Sequence, residues 1–295
     1  MVAYLDPVPK TPTRLKVIEC PRDAMQGLHD FVPTARKVAY IQALLAVGFD
    51  TLDVGSFVSP KAIPQMADTA EVLRGLDLSG TRTRLLTIVA NVRGARDAVA
   101  TEAVDDLGYP FSVSETFQLR NTNADIEESL ARLTEIHRLC QDHGKGLVVY
   151  LSMGFGNPYG DPWNVGVVAR WVERLAALGL RTLQLSDTIG VSTPQSIEYL
   201  YSELIPAYPE VEIGAHLHTT PTTWYEKVDA AYRSGCRRFD GALRGYGGCP
   251  MAADDLTGNM PTENLLSYLT RVDDPAVDPD ALHRAMALLP TVFPL

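Results

Sequence analysis

Residues 147–190 read LVVYLSMGFGNPYGDPWNVGVVARWVERLAALGLRTLQLSDTIG. A short β-rich run, Leu147–Met153, leads through a Gly/Pro/Asn loop into a segment of helical period, Val165–Leu178. Gly179 then stands where a left-handed residue ends a helix, and a second β-rich run, Thr182–Ser186, follows. This is a strand–helix–strand unit, and the chain repeats it in both directions. The other β-rich runs are Leu15–Cys20, Thr51–Val58, Arg84–Asn91, Phe111–Glu115, Glu212–His218 and Arg238–Leu243, giving eight in all. Helical period recurs at Pro33–Val47, Ile126–Cys140, Thr193–Ile205 and Trp224–Ser234. Gly48, Gly144 and Gly235 close such segments as Gly179 does. Thr193-Pro194 and Thr262-Glu263 read as helix starts. Eight regular β–α alternations predict an α/β fold, a (β/α)8 TIM barrel; a doubly wound open sheet is the alternative.

The 295 residues carry no composition break, so residues 1–295 are expected to form one catalytic domain. Its core would run over about 15–270, with a closing helix and tail at 271–295. Apolar residues make up 46% and charged residues 21%, enough for a large core. A net charge of −10 argues against nucleic-acid or anionic-membrane partners. Cys20, Cys140, Cys236 and Cys249 are irregularly spaced, which fits a reducing compartment rather than a disulfide framework. No apolar run approaches the roughly 20 residues of a membrane span, and the N-terminus has no apolar signal core. A cytoplasmic location is expected.

Active sites of such barrels lie at the C-terminal ends of the strands, so the polar residues there matter most. The first run ends in Arg22-Asp23, a rim ion pair or a functional pair. The seventh ends in His216-Leu217-His218; strand alternation points both imidazoles the same way, as metal ligands or as hydrogen-bonded structural histidines. After the eighth run comes a glycine-dense loop, Gly245–Ala252, bearing Cys249: a lid that delivers a thiol, or a plain turn. Asn259 follows, with an amide oxygen to offer. Asp187, ending the sixth run, either binds substrate or caps the local backbone. Together Asp23, His216, His218 and Asn259 supply two imidazoles and two oxygens. That donor mixture suits Mg²⁺ or Mn²⁺, with Zn²⁺, Co²⁺ and Fe²⁺ as alternatives.

Several motifs occur in one order: Pro-Arg-Asp (21–23), Gly-Ser-Phe-Val-Ser-Pro-Lys (55–61), Pro-Gln-Met (64–66), Phe111–Glu115 with Asn121–Asn123, Ser-Asp-Thr-Ile-Gly (186–190), His-x-His (216–218), Gly-Gly-Cys-Pro (247–250) and Thr-Gly-Asn-x-x-Thr-Glu (257–263). From about residue 15 to 270 the chain resembles the hydroxymethylglutaryl-CoA lyase family of metal-dependent barrels. The resemblance implies cleavage of 3-hydroxy-3-methylglutaryl-CoA to acetyl-CoA and acetoacetate, an acyl-CoA partner, a divalent metal (Mg²⁺ or Mn²⁺) and a homodimer. It implies that Asp23, His216, His218 and Asn259 hold the metal and that Arg22 stabilises an enolate oxygen. Cys249 would take part in proton transfer, and Asp187 would position substrate and shuttle a proton. Asp53 stands where the family carries a glutamate, and Thr219 where an aspartate usually follows the histidine pair. The loop Ser152–Pro158 lacks the family's cysteine. These departures keep another 3-hydroxyacyl-CoA, such as a citramalyl-CoA, open as substrate. A condensing enzyme and a non-catalytic acyl-CoA-binding barrel are the remaining alternatives. Ser56, Lys61 and Asn121–Asn123 would either touch the substrate or cap helices.

Overall fold

The structure, a computed structural model, describes residues 14–248 and 257–293. Eight strands form it: β1 Lys16–Glu19, β2 Thr51–Ser56, β3 Arg84–Ile88, β4 Asp106–Ser112, β5 Gly146–Ser152, β6 Thr182–Asp187, β7 Glu212–Leu217 and β8 Arg238–Gly241. They close in sequence order, each parallel to the next, with β8 pairing back to β1. The barrel is therefore as the alternation predicts, and the open sheet is excluded.

The helices are α1 Pro21–Gln26 and α5 Glu115–Thr122, which reach the C-terminal mouth of the barrel, and α2 Thr34–Leu45, α3 Thr69–Arg74, α4 Val92–Val99, α6 Ile126–Asp142, α7 Val165–Ala177, α8 Pro194–Ala207, α9 Trp224–Arg233 and α10 Thr262–Val272. Two more, α11 Pro279–Ala287 and α12 Leu289–Val292, close the chain over α2. Gly48, Gly144, Gly179 and Gly235 all adopt positive φ, the left-handed geometry for which glycine carries no Cβ penalty. Thr193 caps α8 by accepting the Ser196 N–H, with Pro194 in the first helical turn.

The fourth strand lies earlier than the sequence suggests. Its apolar pattern begins at Phe111, but β4 starts at Asp106. Gly108 and Pro110 hide it, since both read as turn residues. A β-carbon on Gly108 would lie 2.5 Å from the Ile88 side chain on β3 and 3.1 Å from the Tyr150 ring on β5, so the small residue suits the crowding between these neighbouring strands. The expected end at Glu115 is instead the start of α5, capped by Ser114, which accepts the Phe117 N–H.

The main apolar core fills the layer between strands and helices. A smaller cluster, Leu86, Ile88, Val148 and Tyr150, packs separately with Val58. At the opposite end, the first residues of five strands pair as ions: Lys16 and Arg238 with Glu212, and Arg84 with Asp106. Charge pairs thus gather at the strand starts.

Candidate active site

A cavity of about 290 Å³ opens at the C-terminal ends of the strands. One wall is apolar (Val58, Ile88, Pro110); the other carries Arg22, Asp23, His216 and His218. The His-x-His reading holds geometrically, because both imidazoles line this cavity. One ligand atom each from Asp23, His216 and His218 lies within 4.8 Å of the others. Asn259 joins them: the segment after the glycine loop bridges to His218, and the Thr219 N–H bonds the Gly258 carbonyl at 2.9 Å. Its amide nitrogen donates to Asp23 Oδ2 at 2.7 Å and to the Tyr246 carbonyl at 2.9 Å. A cation would use the other end of that amide, Oδ1.

The electrostatics fit a cation. Burial, then the neighbouring His216, pushes His218 down to about 4, so it is neutral at pH 7. Its buried Nδ1 has no hydrogen-bond partner among the described groups. Burial also pulls His216 down, but Asp240, through a hydrogen bond and its charge, more than reverses this, helped by Asp23. Burial raises Asp23, yet Arg22 and the two imidazoles hold it below the usual carboxylate range. A second group, Cys20 with His216 and Asp240, also comes together. Burial keeps the Cys20 thiol neutral, so this group reads as support for His216 rather than as a ligand set.

That support was not legible beforehand. Asp240, on β8, accepts from His216 Nδ1 at 2.9 Å and from Gln184 Nε2 at 2.6 Å. It fixes the tautomer that leaves Nε2 as the basic nitrogen, a usual outer partner of a metal-binding histidine. A lone aspartate inside the strand pattern Arg238–Leu243 was the available signal. Asp240→Asn is expected to weaken Mn²⁺ binding about 10–100-fold while the protein stays folded, as measured by calorimetric titration. Unchanged binding would make the pair purely structural.

Arg22 sits in α1 directly after β1 and is clasped. Nε and Nη2 donate to Asp53 at 3.0 and 2.5 Å, and Nη1 donates to Asp23 at 3.0 Å and Gln26 at 2.7 Å. Asp53 is buried, and burial lifts it to about 6 despite Arg22. Asp53 thus orients the guanidinium. Asp187 ends β6 as read, and of its two readings the local backbone cap is the one seen, at Ser192. Ser186 and Thr188 face the cavity, so alternation turns Asp187 away, and its carboxylate is taken by Ser192 (N–H 3.1 Å, Oγ 2.5 Å) and Lys227 (2.7 Å). Direct substrate contact by Asp187 is therefore not what this geometry provides. Cys249 lies outside the described residues. The loop leading to it starts beside the site: a β-carbon on Gly247, at φ +95°, would lie 2.7 Å from the Asp23 carbonyl and 2.8 Å from the Asn259 amide nitrogen. Asn121 lines the cavity, whereas Asn123 is the left-handed cap of α5 and Ser56 Oγ accepts the Val58 N–H.

The HMGL-like family model matches residues 16–288. The cytoplasmic 3-hydroxy-3-methylglutaryl-CoA lyase of Danio rerio is 34% identical over 263 residues, 89% of this chain and 78% of the relative. The chain belongs to the hydroxymethylglutaryl-CoA lyase family. Among the family's members, Bacillus subtilis hydroxymethylglutaryl-CoA lyase YngG is 32% identical, covering 90% of this chain and 88% of its own. The solved HMG-CoA lyase of Acinetobacter baumannii, in complex with coenzyme A and 3-methylmalate, superposes with a TM-score of 0.87 at 32% identity. That match covers 95% of this chain and 91% of the other. Relatives in this family carry both cytoplasmic and mitochondrial descriptions. No helix among the described residues is long and apolar enough to cross a membrane.

Proposed function

We propose that this chain is a divalent-metal-dependent carbon–carbon lyase that cleaves 3-hydroxy-3-methylglutaryl-CoA to acetyl-CoA and acetoacetate. The observation that carries the reading is the donor set Asp23, His216 and His218 standing beside Arg22 at the mouth of the barrel. Asp23, His216, His218 and Asn259 would hold the metal, Mg²⁺ or Mn²⁺, which when bound supplies Lewis acidity to the substrate's oxygens.

The bond to be broken joins the hydroxyl-bearing carbon to the carbon next to the thioester. Its electrons pass into an enolate, so charge grows on the thioester oxygen. Arg22 has five N–H groups, and its present bonds use four of them. The remaining Nη2 hydrogen answers that charge without the group ever deprotonating. Asp53 and Asp23 hold the guanidinium in place for this. The hydroxyl proton is assigned to the Asp23 carboxylate, which lines the cavity beside His216 and takes the proton as the carbon–carbon bond breaks. Cys249 is assigned as donor to the enolate carbon, since a thiol titrates near pH 8.5 and Gly247 brings the loop to the site. The reading includes an acyl-CoA partner, a homodimer, one catalytic domain and a cytoplasmic location.

A second substrate, another 3-hydroxyacyl-CoA, is favoured by Asp53, one methylene shorter than the family's glutamate. The two are separated by offering 3-hydroxy-3-methylglutaryl-CoA and citramalyl-CoA to the purified protein with Mg²⁺. Equal amounts of acetyl-CoA and acetoacetate from the first, with no turnover of the second, is the expected result. Turnover of citramalyl-CoA alone would keep the chemistry and replace the substrate.

A further inference from the structure

Lys227 belongs to α9 on the outside of the barrel, yet it is only 2% exposed. Its ammonium makes three bonds: to Asp187 Oδ2 at 2.7 Å, the His218 carbonyl at 2.9 Å and the Gly190 carbonyl at 3.0 Å. An ammonium has three donors, so all are used. The acceptors come from the end of β6, the loop after it, and the residue just past β7. The β6–β7 ladder stops at Asp187 opposite Leu217, so His218 lies one residue beyond the last rung. Lys227 supplies there the hydrogen bond that the ladder no longer gives.

On its other side His218 bridges to Asn259. The segment bearing Asn259 also meets the β6 loop, because Gly190 packs against Thr257, whose hydroxyl donates to the Ile189 carbonyl at 3.4 Å. The Asn259 segment therefore packs on the two strand ends that the ammonium joins. Asp187, with both oxygens bound by Ser192 and Lys227, is the ammonium's counter-ion.

We infer that Lys227 is a positioning residue, locking the ends of β6 and β7 together so that His218 and Asn259 are held for the cation, with Asp187 completing the lock rather than carrying protons. This rests on the metal reading of the site but not on the identity of the substrate. A ligand atom held by a fixed backbone loses less freedom on binding than one on a loose strand end.

The test is Mn²⁺ binding without substrate, followed calorimetrically, in the parent, in Lys227→Met and in the paired Asp187→Asn/Lys227→Met. Methionine keeps the length and apolar stem and removes the three donors. Lys227→Met is expected to bind Mn²⁺ about 10–100-fold more weakly, the loss typical of an outer-shell partner. Its kcat on 3-hydroxy-3-methylglutaryl-CoA is expected to return towards the parent's at saturating Mn²⁺, because the reacting groups are intact. The single change leaves Asp187 buried and unpaired; if that variant does not fold, the paired one carries no lone buried charge and answers the same question. It should show the same weakening. Parent-like Mn²⁺ affinity in a folded variant overturns the lock. So does a fall in kcat that saturating Mn²⁺ does not relieve. A parent protein that binds no Mn²⁺ overturns both this inference and the metal reading.

Discussion

His218→Ala is expected to remove metal retention and turnover together. His218 is buried, held neutral by its surroundings, and has a ring nitrogen without a hydrogen-bond partner among the described groups. Its lone pair is thus available at neutral pH, the state a metal ligand needs. Alanine reduces the proposed ligands from four to three and deletes one of the two nitrogens. The loss should exceed the roughly 10–100-fold typical of an outer partner. The barrel should survive, since the His218 carbonyl keeps its bond from Lys227 and its neighbours Leu217 and Thr219 keep theirs to the Asn259 segment, with a stability loss of about 0.5–3 kcal/mol. Metal analysis after gel filtration, alongside acetyl-CoA release, checks it. A variant that keeps its metal places the ligands elsewhere.

Arg22→Gln is expected to leave the metal bound and to lower kcat by about 10³-fold, the effect of removing an essential stabiliser of developing charge. The same change has a folding consequence of independent origin. Asp53 is buried and reaches only about 6 because Arg22 opposes the desolvation. Without Arg22 it becomes an unpaired buried carboxylate, costing about 3–5 kcal/mol. Because the folded-state value lies above the unfolded one, stability tied to Asp53 is greatest below the unfolded carboxylate range and is lost as pH rises through the folded value. The variant should therefore be most stable in mild acid and weaken towards neutrality. Adding Asp53→Asn should restore stability but not turnover. Denaturant titrations at pH 5 and 7.5, with kcat for each variant, separate the two effects. Turnover within tenfold of the parent would remove the enolate role from Arg22.

The sequence carried the barrel because strand-and-helix alternation is a local signal, repeated eight times with glycine punctuation. It misled at β4, where Gly108 and Pro110 sit inside the strand and look like a turn. His216 and His218 were legible because two-residue spacing on a strand fixes a shared face. The same rule was available for Asp187: if Ser186 and Thr188 face the cavity, the residue between them does not. Asp240, Gln184 and Lys227 were not legible, since each meets its partner only when separate strands and helices pack side by side. Asp240 lies 24 residues from His216, and Lys227 lies 40 from Asp187. Arg22 and Asp23 were found as a pair, but the clasp by Asp53, 31 residues on, needed the β1–β2 neighbourhood.

The central claim is metal-assisted cleavage at the mouth of the barrel. It is tested most directly by acetyl-CoA release from 3-hydroxy-3-methylglutaryl-CoA by protein stripped with a chelator, before and after Mg²⁺ or Mn²⁺ is restored. The account predicts no release from the stripped protein and full release on adding either ion. Equal release with and without the ion, or none from folded protein that has bound it, would contradict the account.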